Sequence, residues 1–479
     1  MFKKAAFAAV IAFAALTTSA TAWSDAFSNG LPVNEKGILQ VGTNEAADIT
    51  VAAGVSREDV LSYPGATYIA VKFDAFNLPE GDEVVVRSPD STVSYKYTGK
   101  GRGDDGSFYS TFIPGDKAVV EYVSRNKEDV TRFGYTIPAF ARGYQPRPVE
   151  SICGKDDSVP AKCYANSTSL GAELPLAYER SQTVARLLIG GTSLCTGWLA
   201  GSDGHMITNE HCIEEASSAA KIDIEFEAES ASCEDKCETQ LGCKGTVVAT
   251  TSTFVTNDKT IDYAVIKLPE SADLKKYGYL QLRESGPVVK ETIYIPQHPV
   301  GWAKRIAAKI DSGADATVES VGVTLSCGNN QVGYSADTQG GSSGSPLLAK
   351  TDNNVVALHH CGGCSNQAVD IRDVIADLKS KNIVINNLIA GSNGPTPLPT
   401  SQTPAPTSQT PAPTTKTPAP TTKTPAPTTK TPAPTTKTPA PTTKTPAPTT
   451  KAPTNCSDFG FFSCPAECNW SWSSWSCEA

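Results

Sequence analysis

Beyond its first residues the chain has no apolar run approaching the roughly 18 residues that a membrane-spanning helix requires. That argues against a helical span in the mature protein. It also lacks a basic cluster. The net charge is −9, and the lysines near the C-terminus fall singly at 416, 423, 430, 437, 444 and 451. Nucleic-acid binding needs a concentrated basic surface, so that class is set aside. Cysteine is missing from the whole stretch between Trp23 and Gln145, so no disulfide can lie there.

The chain opens like an exported protein. Lys3 and Lys4 precede an apolar stretch, Ala5 to Leu16, and Ala20-Thr21-Ala22 suits signal peptidase. Residues 1–22 are therefore expected to be a signal peptide, and the mature chain is expected to be secreted. All 14 cysteines follow this segment. An even number in an oxidising compartment reads as disulfides.

Four regions follow. Residues 23–150 hold alternating segments such as Tyr68–Phe73, Glu83–Arg87 and Ala118–Tyr122, separated by Gly, Pro and Asp turns. Short strands at this spacing predict a small antiparallel β-sandwich, either a propeptide or an accessory domain. Residues 151–390 hold ten cysteines and read as short strands, closed by an amphipathic helix over Asp370 to Lys381. Residues 391–454 repeat Lys-Thr-Pro-Ala-Pro-Thr-Thr. Proline at that density forbids a helix and predicts an extended, disordered, O-glycosylated linker. Residues 455–479 pack Cys456, Cys464, Cys468 and Cys477 among six aromatic side chains. So small a module needs its disulfides to fold, and its surplus of aromatics predicts an exposed face that binds a polysaccharide or surface.

Three pieces in residues 151–390 carry chemistry, in the chain order His, Asp, Ser. They are Thr208-Asn209-Glu210-His211-Cys212, the strand opened by Asp262-Tyr263-Ala264-Val265, and Gly341-Ser342-Ser343-Gly344-Ser345-Pro346. A serine hydroxyl is a poor nucleophile unless a base takes its proton. His211 is the expected base, Asp262 the group that orients it, and Ser343 the nucleophile. The backbone N–H groups of Gly341 and Ser343 are the expected oxyanion site. Asp258 competes with Asp262, but only Asp262 directly opens the apolar strand.

These motifs resemble a trypsin-like (chymotrypsin-fold) serine protease, closest to the bacterial lysyl and glutamyl endopeptidases. The likeness also draws on Ser151-Ile152-Cys153, Leu194-Cys195-Thr196-Gly197-Trp198 and Tyr294-Ile295-Pro296-Gln297-His298-Pro299. It implies an all-β protease domain, a double β-barrel with a C-terminal helix and the catalytic residues in the cleft between barrels. It implies bridges Cys195–Cys212 and Cys153–Cys364, Cys163 joined to one of Cys233, Cys237 or Cys243, and Cys327 joined to Cys361. Hydrolysis of protein substrates through an acyl-enzyme is the implied activity, with no cofactor and no metal.

Departures from the family pattern bear on activation and specificity. Ser342 stands where trypsin has the Asp that receives its new N-terminus, which argues against trypsin-style activation. Asn366 stands where lysyl endopeptidases have their lysine-binding Asp. Asp337, six residues before Ser343, falls where trypsin has its pocket carboxylate, and a carboxylate there would select Arg or Lys. His360, with His359, resembles the histidine by which glutamate-specific enzymes read an acidic side chain. A protease homologue without turnover, serving as a binding or decoy protein, is the alternative function. His298 is expected to pack in its loop, and Arg102-Gly103-Asp104 to be a chance turn. Sequons at Asn166, Asn455 and Asn469 permit N-glycans in a eukaryotic host.

Overall fold

In the computed structural model the described residues are 27–28, 31–32, 38–125, 133–144, 152–391, 469–471 and 476–478. The signal peptide, the Thr/Pro repeat, Asn455, and the side chains of Asn469 and of the cysteines and aromatics of the last region lie outside what is described. The described chain is mostly β, with few and short helices.

Residues 38–125 and 133–144 contribute two antiparallel sheets. One orders its strands Ile113–Pro114, Tyr68–Asn77, Gly134–Gly143, Gly42–Ala52, with Phe108–Tyr109 added against Tyr68–Asn77. The other orders Arg57–Ser62, Lys117–Val123, Glu83–Arg87, Ser94–Tyr97. Alternation explains the pairing. In Glu83–Arg87, Val84 and Val86 are fully buried while their neighbours are partly exposed. Both sheets feed one core, where Phe73 meets Phe76, Tyr97, Phe108 and Tyr135 at ring-centroid distances of 5.1–6.1 Å.

Residues 152–391 build two curled antiparallel sheets, consistent with a chymotrypsin-like fold. The first runs Thr246–Ala249, Ile222–Phe226, Val184–Ile189, Ser193–Ala200, His205–Thr208, Tyr263–Lys267, Thr253–Asp258. The second runs Val159–Pro160, Arg305–Ala307, Ile293–Gln297, Pro346–Ala349, Val355–Cys361, Asn366–Asp370, Gly328–Tyr334, Val318–Leu325. Each sheet has its own apolar cluster. A third cluster, centred on Trp198, Tyr263 and Leu358, joins the two sheets.

The expected helix spans Ile371–Ser380. Asp370 caps it by accepting from the Arg372 N–H, and Ile371, Val374, Ile375 and Leu378 are buried. Five disulfides are present: Cys153–Cys364, Cys163–Cys233, Cys195–Cys212, Cys237–Cys243 and Cys327–Cys361. Cys233 is thus the partner of Cys163 among the three candidates.

The two-sheet unit packs directly on the first protease sheet. Leu39 and Gln40 pair with Leu194 and Ser193. Tyr68 Oη donates to the Gly191 carbonyl at 2.8 Å. Arg102 reaches Asp223 at 2.8 Å, with side chains 8% and 4% exposed. The Arg102-Gly103-Asp104 tripeptide therefore spends its arginine on a buried ion pair.

Candidate active site

The turn after Thr208 and the turn before Tyr263 are stitched together by backbone and side chain alike. Asn209 Nδ2 donates to the Asp262 carbonyl at 2.9 Å, and the His211 backbone N–H donates to Asp262 Oδ1 at 3.0 Å. His211 Nδ1 lies 2.8 Å from Asp262 Oδ2 and 3.0 Å from Oδ1. That geometry fixes the ring so that Nε2 points away from the carboxylate. Nε2 has no hydrogen-bond partner among the described residues. Such contacts commonly tighten only when substrate is bound.

Asp262 sits at φ +60°, an unusual conformation for a residue other than glycine. Asp258 explains how the turn is held. Its Oδ1 accepts from the N–H groups of Thr260 and Ile261, both at 2.9 Å, and its carbonyl accepts from the Asp262 N–H at 2.8 Å. Asp258 is thus committed to building the turn, and Asp262 is the acid presented to His211. Burial opposes the charge on Asp262, but the charges and hydrogen bonds of His211 and His360 outweigh it. The carboxyl is held well below its ordinary range.

Ser343 is placed by two strands. Its carbonyl accepts from the Thr196 N–H at 2.8 Å, and the next amide, Gly344 N–H, donates to the His359 carbonyl at 3.0 Å. Thr196 follows Cys195, which is bridged to Cys212 beside His211. The serine and the histidine are therefore held against the same strand. Ser342 is fully buried, and its Oγ accepts from the Gln339 N–H at 3.2 Å within the turn. The amides of Gly341 and Ser343 have no acceptor among the described residues. Gly341 lies at φ +93°, and a Cβ there would sit 3.0 Å from the His298 carbonyl oxygen. Glycine is needed at that close approach.

Both specificity candidates are engaged within the protein itself. Asp337 is 3% exposed, and its two oxygens accept from the N–H groups of Asp157 at 2.9 Å and Cys153 at 3.3 Å. Burial pushes this carboxyl up to about 6, against those two hydrogen bonds. An open pocket carboxylate was expected; the structure has one already engaged by backbone. His360 was expected in the pocket wall to meet substrate. Its Nδ1 instead lies 3.1 Å from Asp262 Oδ2, and its Nε2 lies 2.6 Å from Gln331 Oε1. Both nitrogens face acceptors, a pattern that an imidazolium satisfies. His359 Nδ1 pairs with Tyr334 Oη at 2.6 Å, and burial pushes this imidazole down to about 3.

Sequence reading missed the Asp262–His360 contact because no local motif encodes a pairing across 98 positions. It also missed Thr196 as the clamp on the serine turn, although the Cys195-Thr196-Gly197 string marked the place. His298 packs in its loop, as expected, with Nδ1 3.0 Å from the Trp302 carbonyl oxygen. Asn366 donates its Nδ2 to the Ala336 carbonyl and accepts from the Gly363 N–H, and is 1% exposed. Asn166 Nδ2 donates to Glu179 Oε1. Cys195, His211 and Cys212 lie close enough together to resemble a metal cluster, but both sulfurs are in the bridge.

Comparison with known proteins agrees with this architecture. Residues 195–358 match the trypsin-like peptidase domain family. The chain carries a trypsin-like serine protease domain. It is 38% identical over 373 residues to the secreted RxLR effector protein 73 of Plasmopara viticola, an alignment covering 74% of this chain and 90% of the effector. The chain belongs to the same protein family as that effector. A second relative, the uncharacterized protein y4fB of Sinorhizobium fredii, is 30% identical over 194 residues, covering 36% of this chain and 26% of y4fB. Among solved structures, the Rv3671c protease in its inactive form overlaps 44% of this chain and 95% of its own, at 15% identity and a TM-score of 0.32.

Proposed function

We propose that this protein is a secreted serine endopeptidase working through Ser343, His211 and Asp262. The observation that carries the reading is the His211 Nδ1–Asp262 contact at 2.8 Å, set beside a serine turn whose Gly341 and Ser343 amides are unpaired among the described residues. In this reading Ser343 Oγ attacks the scissile carbonyl and its proton passes to His211 Nε2. Asp262 keeps the proton on Nδ1 and balances the imidazolium that forms. The two free amides stabilise the oxyanion, and each such donor is typically worth about a hundred- to a thousandfold in rate. His211 then protonates the leaving amine. Water enters by the reverse sequence and releases the acyl group from Ser343.

Export is supported by the leader-like first residues, the five disulfides and the kinship with a secreted effector. The basic preference first attached to Asp337 finds no support, since both oxygens already bind amides. A fluorophosphonate probe tests the reading directly. Wild type should be labelled, and Ser343→Ala should not. Failure of wild type to label would leave the fold without the activity and favour the binding-protein alternative.

A further inference from the structure

The catalytic cleft has two strand edges. One is the end of Val355–Cys361 beyond His359, where pairing with Pro346–Ala349 has stopped at Leu358 and His359 itself accepts from the Gly344 N–H and donates to the Ser345 carbonyl. The other is Ser193–Ala200, whose Thr196 N–H holds the Ser343 carbonyl. Residues that follow the scissile bond would leave along this second edge, past Leu194 and Ser193. In the structure that edge is already taken.

The occupant comes from the chain's own N-terminal region. Leu39 pairs with Leu194 and Gln40 with Ser193, antiparallel. The Val41 N–H donates to the Thr192 carbonyl at 2.8 Å, and Gln40 Nε2 donates to Ser193 Oγ at 2.8 Å. Leu39 is 2% exposed and lies over the oxyanion turn, its Cδ2 3.1 Å from where a Cβ on Gly341 would sit. Ile38 is buried in the cluster that contains the Cys195–Cys212 bridge, next to His211. An extended segment added to a sheet edge, with alternate side chains in apolar sites, is how proteases and other strand-reading proteins hold peptides.

We propose that Ile38–Val41 acts as an internal competitor on the leaving-group edge, so that protein substrates gain access only when it is displaced. The proposal rests on the reading of Ser343 as nucleophile. Tethering makes the competition strong, because a segment on the same chain has an effective concentration in the millimolar range. Val41 and Leu39 pack with Tyr68, Phe112 and Ala141 of the two-sheet unit. The segment is thereby held from behind as well as paired in front.

The test separates access by small and large reactants. A small fluorophosphonate needs only Ser343 and the oxyanion site, whereas casein must lay chain along both edges. Wild-type full-length chain should be labelled yet hydrolyse casein slowly. Leu39→Asp, which puts a charge in the apolar site, should label at the wild-type rate and hydrolyse casein about tenfold faster or more. Leu39→Gly removes the side chain without a buried charge and should act in the same direction if the aspartate variant folds poorly. Intact labelling with casein hydrolysis equal to or below wild type in both variants would overturn the occlusion while sparing the nucleophile. Loss of labelling in all three chains would overturn the protease reading and this proposal with it.

Discussion

His360 Nδ1 lies 3.1 Å from Asp262 Oδ2, the oxygen that also takes His211 Nδ1 at 2.8 Å. One carboxylate oxygen therefore serves two imidazoles. Gln331 Oε1, 2.6 Å from His360 Nε2, fixes the second ring from behind. His360 touches no reacting atom in this arrangement; it positions Asp262. Replacing it with Ala should lower kcat about tenfold, the scale of one charge-assisted hydrogen bond, with KM nearly unchanged. Steady-state kinetics on a cleaved reporter peptide checks the split. A raised KM at constant kcat would return His360 to the substrate pocket.

Gly344 lies at φ +89°, and a Cβ there would fall 2.1 Å from the Thr196 carbonyl oxygen and 2.4 Å from Thr208 Oγ1. Neither neighbour can yield, because Thr208 Oγ1 itself donates to that carbonyl at 2.8 Å. Gly344→Ala should therefore displace the serine turn. The expected result is loss of fluorophosphonate labelling with a destabilisation of a few kcal/mol, on the order of that for overpacking a core plus a forced positive φ. Labelling rates and a denaturant titration measure the two effects separately.

The Arg102–Asp223 pair is buried on both sides, and burial pushes the Asp223 carboxyl up to about 6 despite the guanidinium. Arg102→Met would strand Asp223 without its partner. Removing one member of a buried pair typically costs about 3–5 kcal/mol. Chemical denaturation should show that loss, and the double variant Arg102→Met/Asp223→Leu should recover much of it.

Asp337 predicts a pH effect whose sign follows from its environment. Its folded carboxyl titrates at about 6, above the ordinary 3.8. Between those values the native state holds a proton that the unfolded chain has released. Its contribution to stability is therefore full below 3.8 and is lost as pH rises through 6. Asp337→Asn cannot titrate, so its stability should fall less than that of wild type across this window. Denaturation midpoints taken at several pH values would show the difference, and parallel curves would refute it.

The order His211, Asp262, Ser343 and the turn around Gly341 were legible because short motifs encode local backbone. The helix over 371–380 was legible from the spacing of Val374, Ile375 and Leu378. What was not legible depended on pairing between distant segments. Asp337 occupies a familiar place in the chain, yet the amides of Cys153 and Asp157, brought up from far upstream, decide what its carboxylate does. His360 resembled a histidine that reads substrate, but its partner in the structure, Asp262, was set by how two sheets meet. Leu39 carried no signal at all, because nothing in Ile38–Val41 distinguishes a strand of the two-sheet unit from one lent to the neighbouring sheet.

Residues 23–145 contain no cysteine. No disulfide can join the two-sheet unit to residues 152–391, whose five disulfides all lie within residues 153–364. A single cut between residues 145 and 151 would turn one molecule into a heterodimer held by a strand pair, an apolar seam and the Arg102–Asp223 contact. Restraint of the cleft would then obey a dissociation constant and weaken on dilution.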